Sequence, residues 1–482
     1  MYLLSGGLSV PRAPAQVNED NLSSSVSFRR KSQVLTSDSS LQSATATLLK
    51  RAVAVTPHGS QTLSKSYRMQ AAGSPEIPLF IERAEGAWVV DVEGRKFLDY
   101  PMALGSVILG HNHPRVVEAI ETQLSKGVLF SLPSPIEIEA AEAVLAAVPS
   151  AHLVKFVKTG SEACSAAVRI ARAFTGRDMV AVGGFHGWHD FYAATTTRSL
   201  GVPASVGELS VSFRFNEIHS LESVFERHGP RIAAVLLEPA SAEPPDEGFL
   251  ETVAQMTSAN GSLLVFDEVI TGFRWERGGA QERYNVYPDL TVLGKAMGNG
   301  MPIAAVCGRQ DVMAVSEEIF VSGTYGGECL SLAAVKAVLG VIESEPVIDY
   351  IWDLGRLLRA GLEEAIHVTG VGDWVRLSGE PPWNVLSFPS TKTKHGSDDE
   401  PTGTVSVRKL AEDPVLKSIF QQEMAKRAVL FNGSFFVSYA HTTPDIELTV
   451  TAAKESFAVV ADAASSGDPT RYLVGDPMGS VF

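Results

Sequence analysis

Between residues 153 and 307 the chain passes through short apolar stretches at 153–157, 179–182, 233–237, 263–266, 290–293 and 304–307. The segments between them, at 162–172, 221–228 and 249–258, carry apolar residues three and four positions apart. The stretches fit strands buried on both faces, and the intervening segments fit amphipathic helices. Strands alternating with helices predict an α/β domain on a largely parallel sheet covered on both sides. Such sheets bind ligands at the carboxyl ends of their strands.

The flanks read differently. Residues 78–100 predict a strand meander turning at Glu85-Gly86 and Glu93-Gly94. His113-Pro114 opens a helix through Val116, Val117, Ile120 and Leu124, and a second helix at 136–148 ends at Pro149. Beyond Ser344 a second texture begins, with helices at 347–366, 414–427 and 445–464 and strands near Trp374, at 385–387 and at 437–439. Residues 389–404, polar and acidic with Gly and Pro, are expected to form a mobile loop. Residues 1–45, rich in Ser and poor in aromatics, are expected to form a loosely ordered extension.

Composition narrows this picture without redirecting it. With 482 residues, 45% of them hydrophobic and 20% charged, the chain can bury a large core. A net charge of −15 argues against nucleic acid or an anionic membrane as partner. Cys164, Cys307 and Cys329 stand too far apart for a disulfide framework or a metal spacing, which suits a reducing cytoplasm. No apolar run is long enough to span a bilayer, and the opening residues lack the basic start of a signal peptide.

The chemistry gathers at the strand ends. The segment Leu263-Leu-Val-Phe-Asp-Glu-Val-Ile-Thr-Gly-Phe-Arg274 delivers Asp267 from an apolar strand. The next strand delivers Lys295 into the glycine-rich turn Lys295-Ala-Met-Gly-Asn-Gly300. Buried charges must be compensated, because unpaired charge in a core costs several kcal/mol. A structural salt bridge would do this, and so would a cofactor that takes up both groups. Lys158-Thr-Gly-Ser-Glu-Ala163 follows a strand and opens a helix, so Gly160 and Ser161 stand where free amides bind an anion. The same residues also read as a plain helix cap. Phe185-His-Gly-Trp-His-Asp190 packs many polar groups into a short loop. Two histidines there raise the question of a metal, but no third ligand lies close in sequence, so none is expected. Glu238-Pro239 closes another buried strand.

With these motifs in order from about residue 55 to residue 464, the chain resembles the class III aminotransferases of the fold-type I pyridoxal-phosphate (PLP) enzymes. Within that family the likeness runs to glutamate-1-semialdehyde aminomutases and related biosynthetic aminotransferases. The resemblance implies a large domain with a mostly parallel sheet, at 105–344, and a smaller α+β domain formed by 46–104 and 345–482. It implies PLP as cofactor, cycling through pyridoxamine 5'-phosphate. Lys295 would form the Schiff base and shuttle the proton, while Asp267 would hold the pyridine nitrogen. Gly160 and Ser161 would take the phosphate. Phe185 would stack on one face of the ring and Val269 would pack on the other. His186 would form a polar wall, Glu238 would line the O3' side, and Glu268 would serve the hydrogen-bond network. Thr324, in Ser322-Gly-Thr-Tyr-Gly-Gly327, would reach the phosphate of a partner subunit, making the active unit a homodimer. Gly59, Ser60 and Thr62 would form a substrate wall.

Three departures from the family pattern stand out. The lead-in Lys158-Thr159 is unusual, Phe185 stands where tyrosine is common, and Gly433-Ser434 stand where the aminomutase pattern carries a glutamate. The last favours a plain aminotransferase moving an amino group from a donor to a ketone or aldehyde acceptor. Aminomutase, racemase, epimerase or decarboxylase chemistry on the same scaffold are the alternatives, with a non-enzymatic relative behind them.

Overall fold

The alternating apolar stretches become one sheet. In a computed structural model that describes residues 43–390 and 412–479, the chain first forms an antiparallel ribbon of β1 (Ile81–Glu85), β2 (Trp88–Asp91) and β3 (Lys96–Asp99). Its turns fall at Gly86 and Gly94, both with positive φ, where a side chain would be strained. Next come β4 (Leu153–Val157), β5 (Met179–Gly183), β6 (Ser210–Ser212), β7 (Ile232–Leu237), β8 (Leu263–Glu268), β9 (Leu290–Leu293) and β10 (Ala304–Gly308). They lie side by side in the order β4-β10-β9-β8-β7-β5-β6. All neighbours are parallel except β10, which runs antiparallel to both β4 and β9.

Alternation along the central strands divides the core in two. Val180, Val182, Leu263 and Val265 pack with Ala163, Ala167 and Ile170 of helix Gly160–Thr175 on one face. Met179, Ala181, Leu264 and Phe266 pack with Leu221, Val224 and Val253 of helices Ile218–His228 and Phe249–Ala259 on the other. This is the doubly covered α/β sheet expected from the sequence, and the double covering is why these strands carry almost no polar residues.

A second region joins segments distant in sequence. β11 (Arg376–Glu380), β12 (Trp383–Ser387) and β14 (Ser434–Phe436) form an antiparallel sheet, while β13 (Val429–Leu430) adds to β3 in parallel. The expected strand at 437–439 lies three residues earlier, in β14. Its ladder stops because the Ser438 N–H bonds His441 Nδ1 at 3.1 Å and the Tyr439 N–H turns to the Ile108 carbonyl at 2.8 Å. Helix Cys329–Ser344 had no sequence signature, being apolar almost all round, and it packs against helices Pro114–Leu124 and Pro135–Ala147. The expected N-terminal extension lies outside the described residues up to position 42, after which Ser43 caps helix Ala44–Val55. Of the expected loop at 389–404, all but the first two residues lie outside them as well. Among the described residues no helix is long and apolar enough to cross a membrane.

Candidate active site

Three adjacent parallel strands end together. Glu238 follows β7, Asp267 is the penultimate residue of β8, and Lys295 comes two residues after β9. All three line one cavity of about 320 Å³, together with Gly160, Ser161, Cys164, Phe185, His186 and Val269. Lys295 is held with φ +42, in the left-handed region that a lysine seldom occupies. Its turn is pinned by Asn299, whose side chain accepts from the Leu109 amide at 2.9 Å and donates to the Gly110 carbonyl at 3.0 Å.

Asp267 is buried and fully engaged at one oxygen. Its Oδ2 accepts from His186 Nδ1 at 2.8 Å and from the Cys164 thiol at 3.3 Å, while Oδ1 accepts the Val269 amide at 3.1 Å. His186 Nε2 is then buried without a partner among the described residues. Burial, and secondarily the Asp267 charge, push Glu238 up to about 7, although the Phe185 amide donates to its Oε2 at 2.9 Å. Burial lowers the Lys295 ammonium pKa, against the pull of Glu238 and Asp267. Arg274 is buried as well; its guanidinium donates to the Val437 and Gly105 carbonyls at 2.9 and 2.8 Å, and burial brings it down to about 9. Glu268 points away from the cavity and accepts from the Ala280 and Gln281 amides, the Gln281 side chain and the Thr271 hydroxyl, as its network role required.

At the other end of the cavity helix Gly160–Thr175 opens with a capping box. Thr159 accepts from the Glu162 amide, and Glu162 accepts from the Lys158 and Thr159 amides. The first two helical amides, those of Gly160 and Ser161, have no acceptor among the described residues. Gly187, with φ +92, lets the loop close over them: a Cβ there would meet Ser161 Oγ at 2.1 Å. A Cβ on Gly160 would meet a Val269 methyl at 3.0 Å. The residues present therefore fit PLP. The bare helix N-terminus suits a phosphate, Phe185 and Val269 offer apolar walls, Asp267 offers an acceptor for a protonated ring nitrogen, and Lys295 offers a primary amine.

Not every expected residue joins them. Gly59, Ser60 and Thr62 lie in the turns around Pro57–Gly59 and Leu63–Lys65, and Thr324 is exposed in the loop before Cys329; none lines this cavity. Sequence reasoning overlooked Cys164, Asn299 and the partners of Arg274, because helical spacing and chain separation hide these contacts. It also held that no third ligand lies near His186. The fold instead brings Cys164, His186 and Asp267 within 4.8 Å of one another. Cys164 Sγ and His186 Nδ1 both bond to Asp267 Oδ2 in the contacts described above.

Residues 69–380 match the family described as aminotransferase class III. The glutamate-1-semialdehyde 2,1-aminomutase of Thermomicrobium roseum is 37% identical over 408 residues, covering 80% of this chain and 92% of that protein. Among solved structures, the FumI protein of Sphingopyxis sp. MTA144, in its PLP internal aldimine form, superposes with a TM-score of 0.77 at 29% identity. That match covers 87% of this chain and 97% of the other. An omega-transaminase from Sphaerobacter thermophilus superposes with a TM-score of 0.74 at 28% identity, covering 86% and 97%.

Proposed function

The chain belongs to the class III aminotransferase family of PLP-dependent enzymes, and from that premise we propose that it transfers an amino group from a donor to a small ketone or aldehyde acceptor. The observation that carries the reading is the delivery of Lys295, Asp267 and Glu238 by three neighbouring strands into a cavity ended by a bare helix N-terminus. When bound, PLP supplies an electron sink for the substrate carbon. The chain supplies the rest. Gly160 and Ser161 hold the phosphate, and Phe185 and Val269 confine the ring. Asp267 keeps a positive ring nitrogen in place. Lys295, whose ammonium burial disfavours, is the amine placed to take a proton from one substrate atom and return it to another. Glu238, raised to about 7, can carry a proton beside it near neutral pH.

A second reading has a specific observation behind it, since the Thermomicrobium roseum aminomutase is 37% identical to this chain and the omega-transaminase 28%. Gly433 favours the first reading. With Ser434 it stands where the mutase pattern carries a glutamate, so this chain lacks that carboxylate. The active unit is read as a homodimer, with Thr324 and the segment holding Gly59, Ser60 and Thr62 completing a second copy's site. Phe320 and Tyr325, 79% and 62% exposed beside Thr324, support an interface there. Residues 46–104 and 345–482 are read as one small domain beside 105–344, which the pairing of β13 with β3 supports. Three free, buried cysteines suit a cytoplasmic setting.

The deciding experiment is the visible spectrum of the PLP-loaded protein with a panel of amino donors, and separately with glutamate-1-semialdehyde alone. Bleaching by a donor that is reversed by a carbonyl acceptor establishes amino transfer. Conversion of glutamate-1-semialdehyde without any donor establishes the mutase instead.

A further inference from the structure

We propose that Cys164 is a positioning residue for Asp267, so that one helix sets both ends of the cofactor site. The inference rests on Asp267 being the partner of the ring nitrogen. Helix Gly160–Thr175 presents its first amides and Ser161 at the phosphate end. Cys164 follows Ser161 by three residues and Gly160 by four, so all three share one helical face. Its thiol ends 3.3 Å from Asp267 Oδ2, lines the same cavity and is only 1% exposed.

A cysteine among the alanines of this helix could be mere apolar filler. Its contact is otherwise: the thiol meets the one oxygen that His186 also holds, at 2.8 Å, from a different element. Two donors on Oδ2, one from the helix and one from the loop after β5, stop the carboxylate from rotating. Oδ1 carries only the Val269 amide at 3.1 Å, and a carboxylate oxygen has lone pairs for more than one donor. Oδ1 is therefore the oxygen left to face the ring nitrogen. The thiol remains a donor because burial and the adjacent Asp267 charge both oppose its ionisation. Any sliding of the helix would move the phosphate cradle and the Asp267 contact together, and this ties the two ends of the site to one rigid element.

The test uses the full-length PLP-loaded protein with Cys164→Val, which keeps bulk and removes the donor, and Cys164→Ser, which keeps a donor. Serine in a helix tends to bond the carbonyl four residues back, so its rescue is expected to be partial. Cys164→Val should lower kcat about tenfold with KM within about twofold, as expected for loss of a donor to a charged group. It should also move the nitrogen-15 resonance of labelled cofactor, and Cys164→Ser should recover part of both effects. An unchanged resonance and a kcat within about twofold of wild type in Cys164→Val would overturn the proposal. Should the valine variant fail to fold, the infrared S–H bands of the wild-type holoenzyme decide. One band is expected to shift in Asp267→Asn, and if none shifts the thiol is not bonded to Asp267. Unchanged turnover in Asp267→Asn would sink the reading of Asp267 itself. An impaired Asp267→Asn beside a normal Cys164→Val would sink only the role of Cys164.

Discussion

Replacing Glu238 by glutamine should make the cofactor-free protein more stable, and increasingly so as pH rises. The carboxyl is lifted from an ordinary 4.5 to about 7, chiefly by burial and then by the charge of Asp267. The folded protein thus holds this proton more tightly than the unfolded chain does. Below pH 4.5 both states are protonated and the group contributes nothing. From there to about pH 7 the unfolded chain sheds a proton that the folded chain keeps, so stability falls with rising pH and the full cost persists above 7. The rise corresponds to roughly 3 kcal/mol. Glutamine keeps an oxygen to accept the Phe185 amide but cannot ionise, so the cost vanishes. For a chain of this length about 1 kcal/mol moves the melting midpoint by roughly 1 °C. The advantage of Glu238→Gln should therefore grow by about 3 °C between pH 5 and pH 8. Thermal melts of the two cofactor-free proteins at four pH values measure it. An offset independent of pH, or one that shrinks as pH rises, would refute the reasoning. In an Asp267→Asn background the pH-dependent part should be smaller, because the repelling charge is gone.

Lys295→Ala should abolish a borohydride-reducible visible chromophore, and retention of that chromophore in the variant would contradict the role of Lys295. Asp267→Asn should still bind PLP, seen as quenching of protein fluorescence on titration, while turnover falls by about 10²-fold or more, the scale typical of lost electrostatic stabilisation. Gly187→Ala should weaken PLP binding at least about tenfold, because its Cβ would overlap Ser161 Oγ and its φ of +92 disfavours a side chain. Equilibrium titration checks it, and unchanged affinity would mean the cradle is not where the phosphate binds.

The residues that were legible in the sequence share a physical reason. An apolar strand that stops on a charge, as at Leu237-Glu238, Phe266-Asp267 and Leu293-Gly-Lys295, shows that the chain is spending burial on chemistry at a strand end. Local spacing carries that signal, and it survives without a structure. The helix start at Gly160 was legible for the same reason, since cap residues act within one turn. Contacts between elements leave no such trace. Cys164 looks like one more small residue on an Ala-rich face, and only the placement of the helix across β8 sets its thiol on Asp267. Arg274 closes a motif that was read as far as Val269, yet its acceptors, Gly105 and Val437, are 169 and 163 residues away. Helix Cys329–Ser344 was missed for the opposite reason: burial on nearly every side erases the periodicity by which helices are read. The reactive groups of this site were therefore open to a reading of one chain, while the groups that aim them were not, because aiming is done by neighbours in space. This is also why Cys164 is the residue whose replacement can separate positioning from reaction.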